Sequence, residues 1–281
     1  MNTIVRDDVL QRIHNLPSLP TVVLELLASM GRGDEVNIDE LARKITQDQA
    51  LTAKTLRLAN SSFYGMANRV TTIHEAIAIL GFRTVRSLAT TAALMDTFSG
   101  QSRTRFNATP FWLHSIATAV CAQELAKHMG INPEHAYIAG LLHDIGRLVL
   151  ISQFQPNYEA TMAYRALHDC YLLHAEHVIL GLTHTTVGLT LTQHWKFPEA
   201  VQNAVADHHA TNCLGLPPLS LVVITANVLT HALDLSMDPN DLVPSIPEKL
   251  WQQLGLDEPT LLAILKNVER QFEGASLVLN A

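Results

Sequence analysis

Nearly every apolar stretch of this 281-residue chain repeats at helical period, and the stretches are bounded by residues that start and stop helices. Asn37-Ile38-Asp39-Glu40 reads as an N-cap with an acid in the first turn, and it puts Ile38, Leu41, Ala42 and Ile45 on one apolar face. Asp48 is placed to cap a second helix in which Leu51, Thr55, Leu58 and Ala59 share a face. Thr72-x-x-Glu75 forms a capping box before the run Ala76 to Leu80, and Gly81 is placed to end that helix. Pro133, after Asn132, suits a first helical position. Pro198 opens a helix that runs into His208-His209, Ser245-x-x-Glu248 caps another, and Asp257-Glu258-Pro259 starts the last. No stretch alternates at the period of a strand. The pattern predicts an all-α protein.

Phe98 to Pro110 (FSGQSRTRFNATP) is polar, contains Gly and Pro, and has no period. It predicts a boundary between an N-terminal helical lobe, 1–100, and a second helical lobe, 101–281. A second loop is expected over Thr211 to Pro218. Hydrophobic residues make up 48% of the chain and charged ones 16%, enough for a substantial core. The net charge of −7 disfavours nucleic acid as the main partner, because binding a phosphate backbone calls for a basic excess. No stretch approaches the ~20 apolar residues of a membrane span. The opening MNTIVRDDVLQR, with two early acids, does not read as a secretory signal. Cys121, Cys170 and Cys213 are few, odd in number and widely spaced, which predicts reduced thiols in a cytoplasmic protein.

The chemistry is concentrated in an ordered series of histidines. His114 is followed by His143-Asp144 in GLLHDIGR, His184 in LTHTTVG, and His208-His209 in DHH. Imidazoles and carboxylates are ligands that divalent transition metals prefer, so these residues, if they converge, can hold one or two ions. For His143-Asp144 the competing reading is a buried ion pair, or an Asp that accepts helix-end hydrogen bonds. Neighbours on a helix point roughly 100° apart. The His208-His209 pair therefore suits ligands to two different metals, or one packed and one exposed residue. His128, His135, His168 and His174 read as ordinary histidines. Trp112, Trp195 and Phe197 read as core around the site, and the Asn60 to Gly65 turn as a helix stop or a partner-facing loop.

Several motifs in one order resemble the HDOD family, a relative of the HD superfamily of metal-dependent phosphohydrolases. LPSLPTVVLELL (Leu16 to Leu27, with Pro17 and Pro20), ITQDQALTAKTLRLANSSFYG (Ile45 to Gly65) and VTTIHEAIAILG (Val70 to Gly81) carry the likeness in the first lobe. FWLHS (Phe111 to Ser115), AGLLHDIG (Ala139 to Gly146), HTTVGLTLTQHWKFP (His184 to Pro198) and DHH (Asp207 to His209) carry it in the second. The resemblance spans roughly Leu16 to Leu233. It implies an HD-like helical domain as the C-terminal lobe and a regulatory or scaffolding role in bacterial signalling.

It also implies a ligand set of His114, His143, Asp144, His184, His208, His209 and the residue matching the final HD aspartate, which here is Asn227. An amide oxygen is a weaker ligand than a carboxylate and carries no charge. Glu176 looks like the family's acid ahead of the His184 segment; otherwise it is an exposed helix charge. Arg147 stands where HD proteins often have Lys, so Asp144 and Arg147 become the catalytic candidates. The competing reading of Arg147 is a surface cation at a helix C-terminus. Gln49 replaces a usual proline, and no Gly-Tyr-Pro follows His208-His209, which argues against a cyclic-di-GMP phosphodiesterase.

The expected function is thus a cytoplasmic signalling protein with a weakened metal site, acting on a protein partner or a small phosphorylated ligand. The expected cofactor is a divalent metal: Fe, Mn, Zn, Mg or Ni. The alternatives are a metal-dependent phosphohydrolase acting on a nucleotide or phosphodiester, and a metal-loaded sensor without catalysis.

Overall fold

The computed structural model describes residues 4, 6–14, 19, 21–30, 37–65, 69–99, 106–238 and 241–280. Leu16, Pro17 and Pro20 of the first motif lie outside the described residues, as do 100–105 of the expected boundary. The regular elements among the described residues are helices, with no strand. The chain is all-α.

It divides into two compact units, one made of Met1–Ser18 with Gln101–Leu261, the other of Leu19–Gly100 with Leu262–Ala281. This differs at both ends from a split into 1–100 and 101–281. Helix α1 (Arg6–His14) goes with the histidine-bearing unit, where it packs on a later helix and the Ile4 amide donates to the Leu180 carbonyl at 2.9 Å. An amphipathic terminal helix carries an apolar face but no address, so periodicity alone does not say which unit it joins.

In the other unit, α2 (Thr21–Met30), α3 (Ile38–Gln47), α4 (Gln49–Ala59), α5 (Ile73–Leu80) and α6 (Phe82–Ser99) follow in order. Their ends form as the cap residues dictate. Asn37 Oδ1 accepts the amides of Asp39 and Glu40, Asp48 Oδ1 accepts that of Leu51, and Thr72 and Glu75 close a capping box. Gly81 ends α5 with φ +84°, a conformation that L side chains rarely adopt. Leu41, Ala42 and Ile45 are buried, but Ile38, the first residue of α3, is 47% exposed and does not join that face. Asn60 pins the following turn: its amide nitrogen donates to the carbonyls of Leu56 and Val70, and its Oδ1 accepts the Val70 amide at 2.7 Å. Phe98 and Ser99 continue α6 rather than starting a loop.

The histidine-bearing unit contains α7 (Ala108–His128), α8 (Pro133–Leu142), α9 (Ile145–Gln153), α10 (Gln155–His168), α11 (Leu172–Leu180), α12 (His184–His194), α13 (Glu199–Asp207), α14 (Pro218–Ala232) and α15 (Glu248–Leu254). The last helix, α16 (Glu258–Ser276), starts here, joins the other unit from Leu262 on, and ends in a 3-10 turn, Leu277–Asn280. Ala108 to Pro110 already belong to α7. Helix α15 starts at Glu248 after Pro247, not behind Ser245 as expected, because the residue before a proline is pushed out of helical geometry.

Glycine contacts set the spacing around the site. A β-carbon on Gly140 of α8 would stand 2.7 Å from the Thr118 carbonyl of α7. A β-carbon on Gly188 of α12 would stand 2.8 Å from Val205 of α13. Helices α7 and α14 are keyed by Thr118 and Thr230, whose hydroxyls meet at 3.1 Å. One turn back along both helices, His114 faces Asn227.

Candidate metal centre

His143 and His208 are the C-caps of α8 and α13. The last carbonyls of a helix lack intrahelical partners, and each ring folds back onto one of them. His143 Nδ1 donates to Gly140 O at 2.7 Å, and His208 Nδ1 donates to Val205 O at 2.8 Å. These bonds place the Nε2 lone pairs of both rings toward the interior of the unit. His184, at the start of α12, is held by buried Glu176, whose Oε2 accepts Nδ1 at 2.7 Å and the His184 backbone amide at 2.8 Å. Glu176 is not an exposed charge; it is fully buried. This is the arrangement by which outer carboxylates and carbonyls fix metal-binding imidazoles.

The inward atoms converge. Asp144 Oδ1 lies 3.1 Å from His184 Nε2 and 3.3 Å from His208 Nε2, and those two nitrogens are 3.2 Å apart. His143 Nε2 is 3.9 Å from the same oxygen and 3.1 Å from His114 Nε2. His114 Nε2 is in turn 2.9 Å from Asn227 Oδ1. Two ligands side by side on one ion at ~2.1–2.2 Å stand roughly 3.0–3.5 Å apart, so the spacings fit shared coordination. Asp144 caps α9 without a side-chain capping bond, so its carboxylate serves the cluster rather than the helix end.

His209 closes the set from the cavity side, its ring centroid 4.2 Å from that of His208 and 5.1 Å from that of His184. Donor atoms of Asp144, His184, His208 and His209 form one group within 4.8 Å of one another, and those of His114, His143 and Asp144 form a second. The neighbouring His208 and His209 both fall in the first of these groups. Helix α13 ends at Asp207, and the pair follows in the turn beyond it, where His208 still has helical backbone angles (φ −62°, ψ −10°).

The electrostatics agree with a cation site. Burial opposes charge on His184, but the Glu176 and Asp144 carboxylates outweigh it and raise the ring to about 9. Burial drives His114 down to about 3, and burial also holds His143, His208 and His209 neutral, the state that ligates metal. Burial pushes the Asp144 carboxyl up, but His143, Arg147 and His184 hold it well below its usual range. The donor set fits a transition-metal ion.

Arg147 is not a surface cation at a helix C-terminus. It lies in the first turn of α9, its Nη1 donates to Asp144 Oδ2 at 2.8 Å, and its guanidinium sits 5.6 Å from the Phe111 ring centroid. Both Asp144 and Arg147 line a cavity of about 870 Å3 beside the centre, together with Arg165, His174, His177, His209, His231 and Asp241.

His231 is a site residue that the sequence reading missed. Its ring stacks on His114 at 4.3 Å and 32°, and its Nδ1 lies 2.7 Å from the Asp241 carboxylate. The available signal was the spacing Asn227-x-x-x-His231, which puts both on one helix face. Trp112 and Phe197 are buried as expected, and Trp195 is half-buried. The metal-ligand groups among the described residues do not include His128, His135, His168 or His174.

The family model of the HDOD domain matches residues 16–211. The chain belongs to the HDOD family. This HDOD chain is also similar to a Treponema pallidum protein of uncharacterised function, 28% identical over 232 residues, covering 80% of this chain but 44% of that one. It therefore spans less than half of that relative's length. Among solved structures, a candidate phosphohydrolase from Shewanella amazonensis is 26% identical, with a TM-score of 0.72 and 96% of each chain covered. A candidate signal transduction protein from Marinobacter aquaeolei shares the fold at a TM-score of 0.80 and 22% identity, covering 100% of this chain and 62% of that one. No helix among the described residues is long and apolar enough to cross a membrane.

Proposed function

We propose that this HDOD chain is a cytoplasmic signalling protein whose histidine-bearing unit holds divalent metal and binds a small phosphorylated ligand in the adjoining cavity. The observation that carries the reading is the convergence of four imidazole Nε2 atoms and Asp144 Oδ1, with three of the Nδ1 atoms anchored behind them. Such a donor set suits zinc, iron or nickel ahead of magnesium. A bound dication would acidify a coordinated water and neutralise phosphoryl oxygens. Arg147, Arg165, His174 and His177 line the cavity as anion donors, and Leu172, Leu173 and Val228 offer apolar wall for a larger body.

Two features favour binding over rapid turnover. Asn227 brings an amide where a carboxylate would balance the ion's charge, and the Arg147 guanidinium is already paired with Asp144. Hydrolysis of a nucleotide or phosphodiester, with Asp144 and Arg147 in the reacting shell, is the second reading. The complete set of imidazoles and the likeness to the Shewanella candidate phosphohydrolase favour it.

The experiment is metal analysis of protein purified without added metal, with anomalous scattering at the cluster and turnover assays on an aryl phosphate and an aryl phosphodiester. At least one ion per chain with negligible turnover is expected. Protein free of metal that takes none up would sink the reading, and turnover at enzymatic rates would put hydrolysis first.

A further inference from the structure

The cavity beside the centre has two chemically different walls. Helices α9, α10 and α11 contribute Arg147, Arg165, His174 and His177, the side to which an anion is drawn. Helix α14 presents the other wall as a stripe at helical spacing, Ile224, Asn227, Val228 and His231, and the chain after it adds Asp238 and Asp241. His231 is held on two sides. Its Nδ1 lies 2.7 Å from the Asp241 carboxylate, and its ring lies against that of His114 with 4.3 Å between centroids. Asp241 is itself fixed, because its carboxylate accepts the Ser236 hydroxyl and the Leu242 amide, both at 3.0 Å. Nε2 is the polar atom of the His231 ring that these contacts do not engage. The side chain is 16% exposed and lines the cavity, so this edge is what the ring offers a ligand.

We infer that His231 recognises a hydroxyl group of the ligand, and that the cavity selects a phosphate ester of a polyol or sugar over a bare or alkyl phosphate. The inference rests on the phosphorylated-ligand reading above and deepens it. A cavity of about 870 Å3 lies in the upper part of the ~300–1,000 Å3 range of small-molecule sites, so a phosphoryl group leaves most of it to the rest of the ligand. A hydroxyl both donates and accepts, so it matches Nε2 whichever way the ring is protonated. A second phosphoryl group is disfavoured on this wall by the Asp238 and Asp241 carboxylates. Asp241 already accepts from His231, Ser236 and Leu242, which favours a neutral donor there over an ammonium group. Asp241 thus acts through His231 as a positioning residue, fixing the direction in which Nε2 points.

The test is calorimetric binding of glycerol 3-phosphate and propyl phosphate to the full chain as purified. The two esters share carbon chain and phosphate and differ in the hydroxyls. Glycerol 3-phosphate should bind roughly 3–10-fold more tightly, the net worth of one hydrogen bond. His231→Phe keeps a ring against His114 but removes both nitrogens, and the preference should disappear. Asp241→Asn loosens the hold on the ring and should shrink the preference, and this arm carries the test if His231→Phe folds poorly. Arg165→Gln should weaken both esters alike. Esters that bind the parent equally, or a preference that survives His231→Phe and Asp241→Asn, overturn the assignment while leaving the phosphorylated-ligand reading intact. Ethanolamine phosphate binding the parent more tightly than glycerol 3-phosphate overturns it in favour of an ammonium group. No binding of either ester removes the reading on which it rests.

Discussion

Gly146 and His184 meet backbone to backbone. A β-carbon on Gly146 would overlap the His184 carbonyl oxygen and stand 2.7 Å from the Gly188 amide nitrogen. This contact lets α9, which follows Asp144, lie against α12, which begins at His184. The 3.1 Å approach of Asp144 Oδ1 to His184 Nε2 depends on it.

Replacing Gly146 by Ala is expected to force these helices apart and to cost about 1–3 kcal/mol, the usual range for overpacking a close contact. Denaturant unfolding measures the loss. Metal content should fall as well, because the two ligands separate. A variant as stable and as metal-rich as the parent would show that the contact does not position the site.

Glu176→Gln keeps an acceptor for His184 Nδ1 but removes the buried charge. Metal affinity should drop ~10–100-fold while the fold is retained, since an outer-shell carboxylate raises the basicity of the imidazole it holds. The His184 ring should also titrate well below its present value of about 9, which NMR of the ring protons can follow.

The pH dependence of the metal-free protein has a definite sign. His114, His143, His208 and His209 have folded values below their unfolded one, so their stability is complete above about pH 6.5 and is lost as pH falls toward about 3 for His114. His184 is raised, so its contribution is complete below about pH 6.5 and is lost as pH rises through about 9. Stability should therefore peak near pH 6.5, as read by denaturant midpoints across pH 5 to 9. Metal displaces the His184 proton, so the alkaline decline should be absent from loaded protein. A flat profile would contradict the burial of neutral imidazoles.

In the other unit, Asn60→Ala removes three hydrogen bonds and leaves the Val70 amide without its side-chain acceptor. The expected cost is about 1–3 kcal/mol. Metal stoichiometry should not change. A change in metal content would show that the unit affects the site through its stability.

Much of this was legible because it is local. Thr72-x-x-Glu75, Asn37 and Asp48 cap helices through atoms two or three residues away, so spacing suffices to place them. The order of His114, His143-Asp144, His184 and His208-His209 marked the residues that converge. What was not legible depends on tertiary geometry. The orientation of His208 against His209 turns on where α13 stops, and Arg147 needs Asp144 as a partner before its place is defined. His231 has no motif of its own, and its role appears once α14 lies against α7.

The terminal crossover has a consequence for the order in which the protein is made. Gly274 of α16 lies against Phe63, where a β-carbon would stand 2.5 Å from the ring, and both residues belong to the unit of Leu19–Gly100 with Leu262–Ala281. Leu19–Gly100 of that unit is translated before Leu262–Ala281, with Gln101–Leu261 in between. At ~5–20 residues per second, the interval is roughly ten to forty seconds, during which the first-synthesised helices wait with an unfilled apolar face.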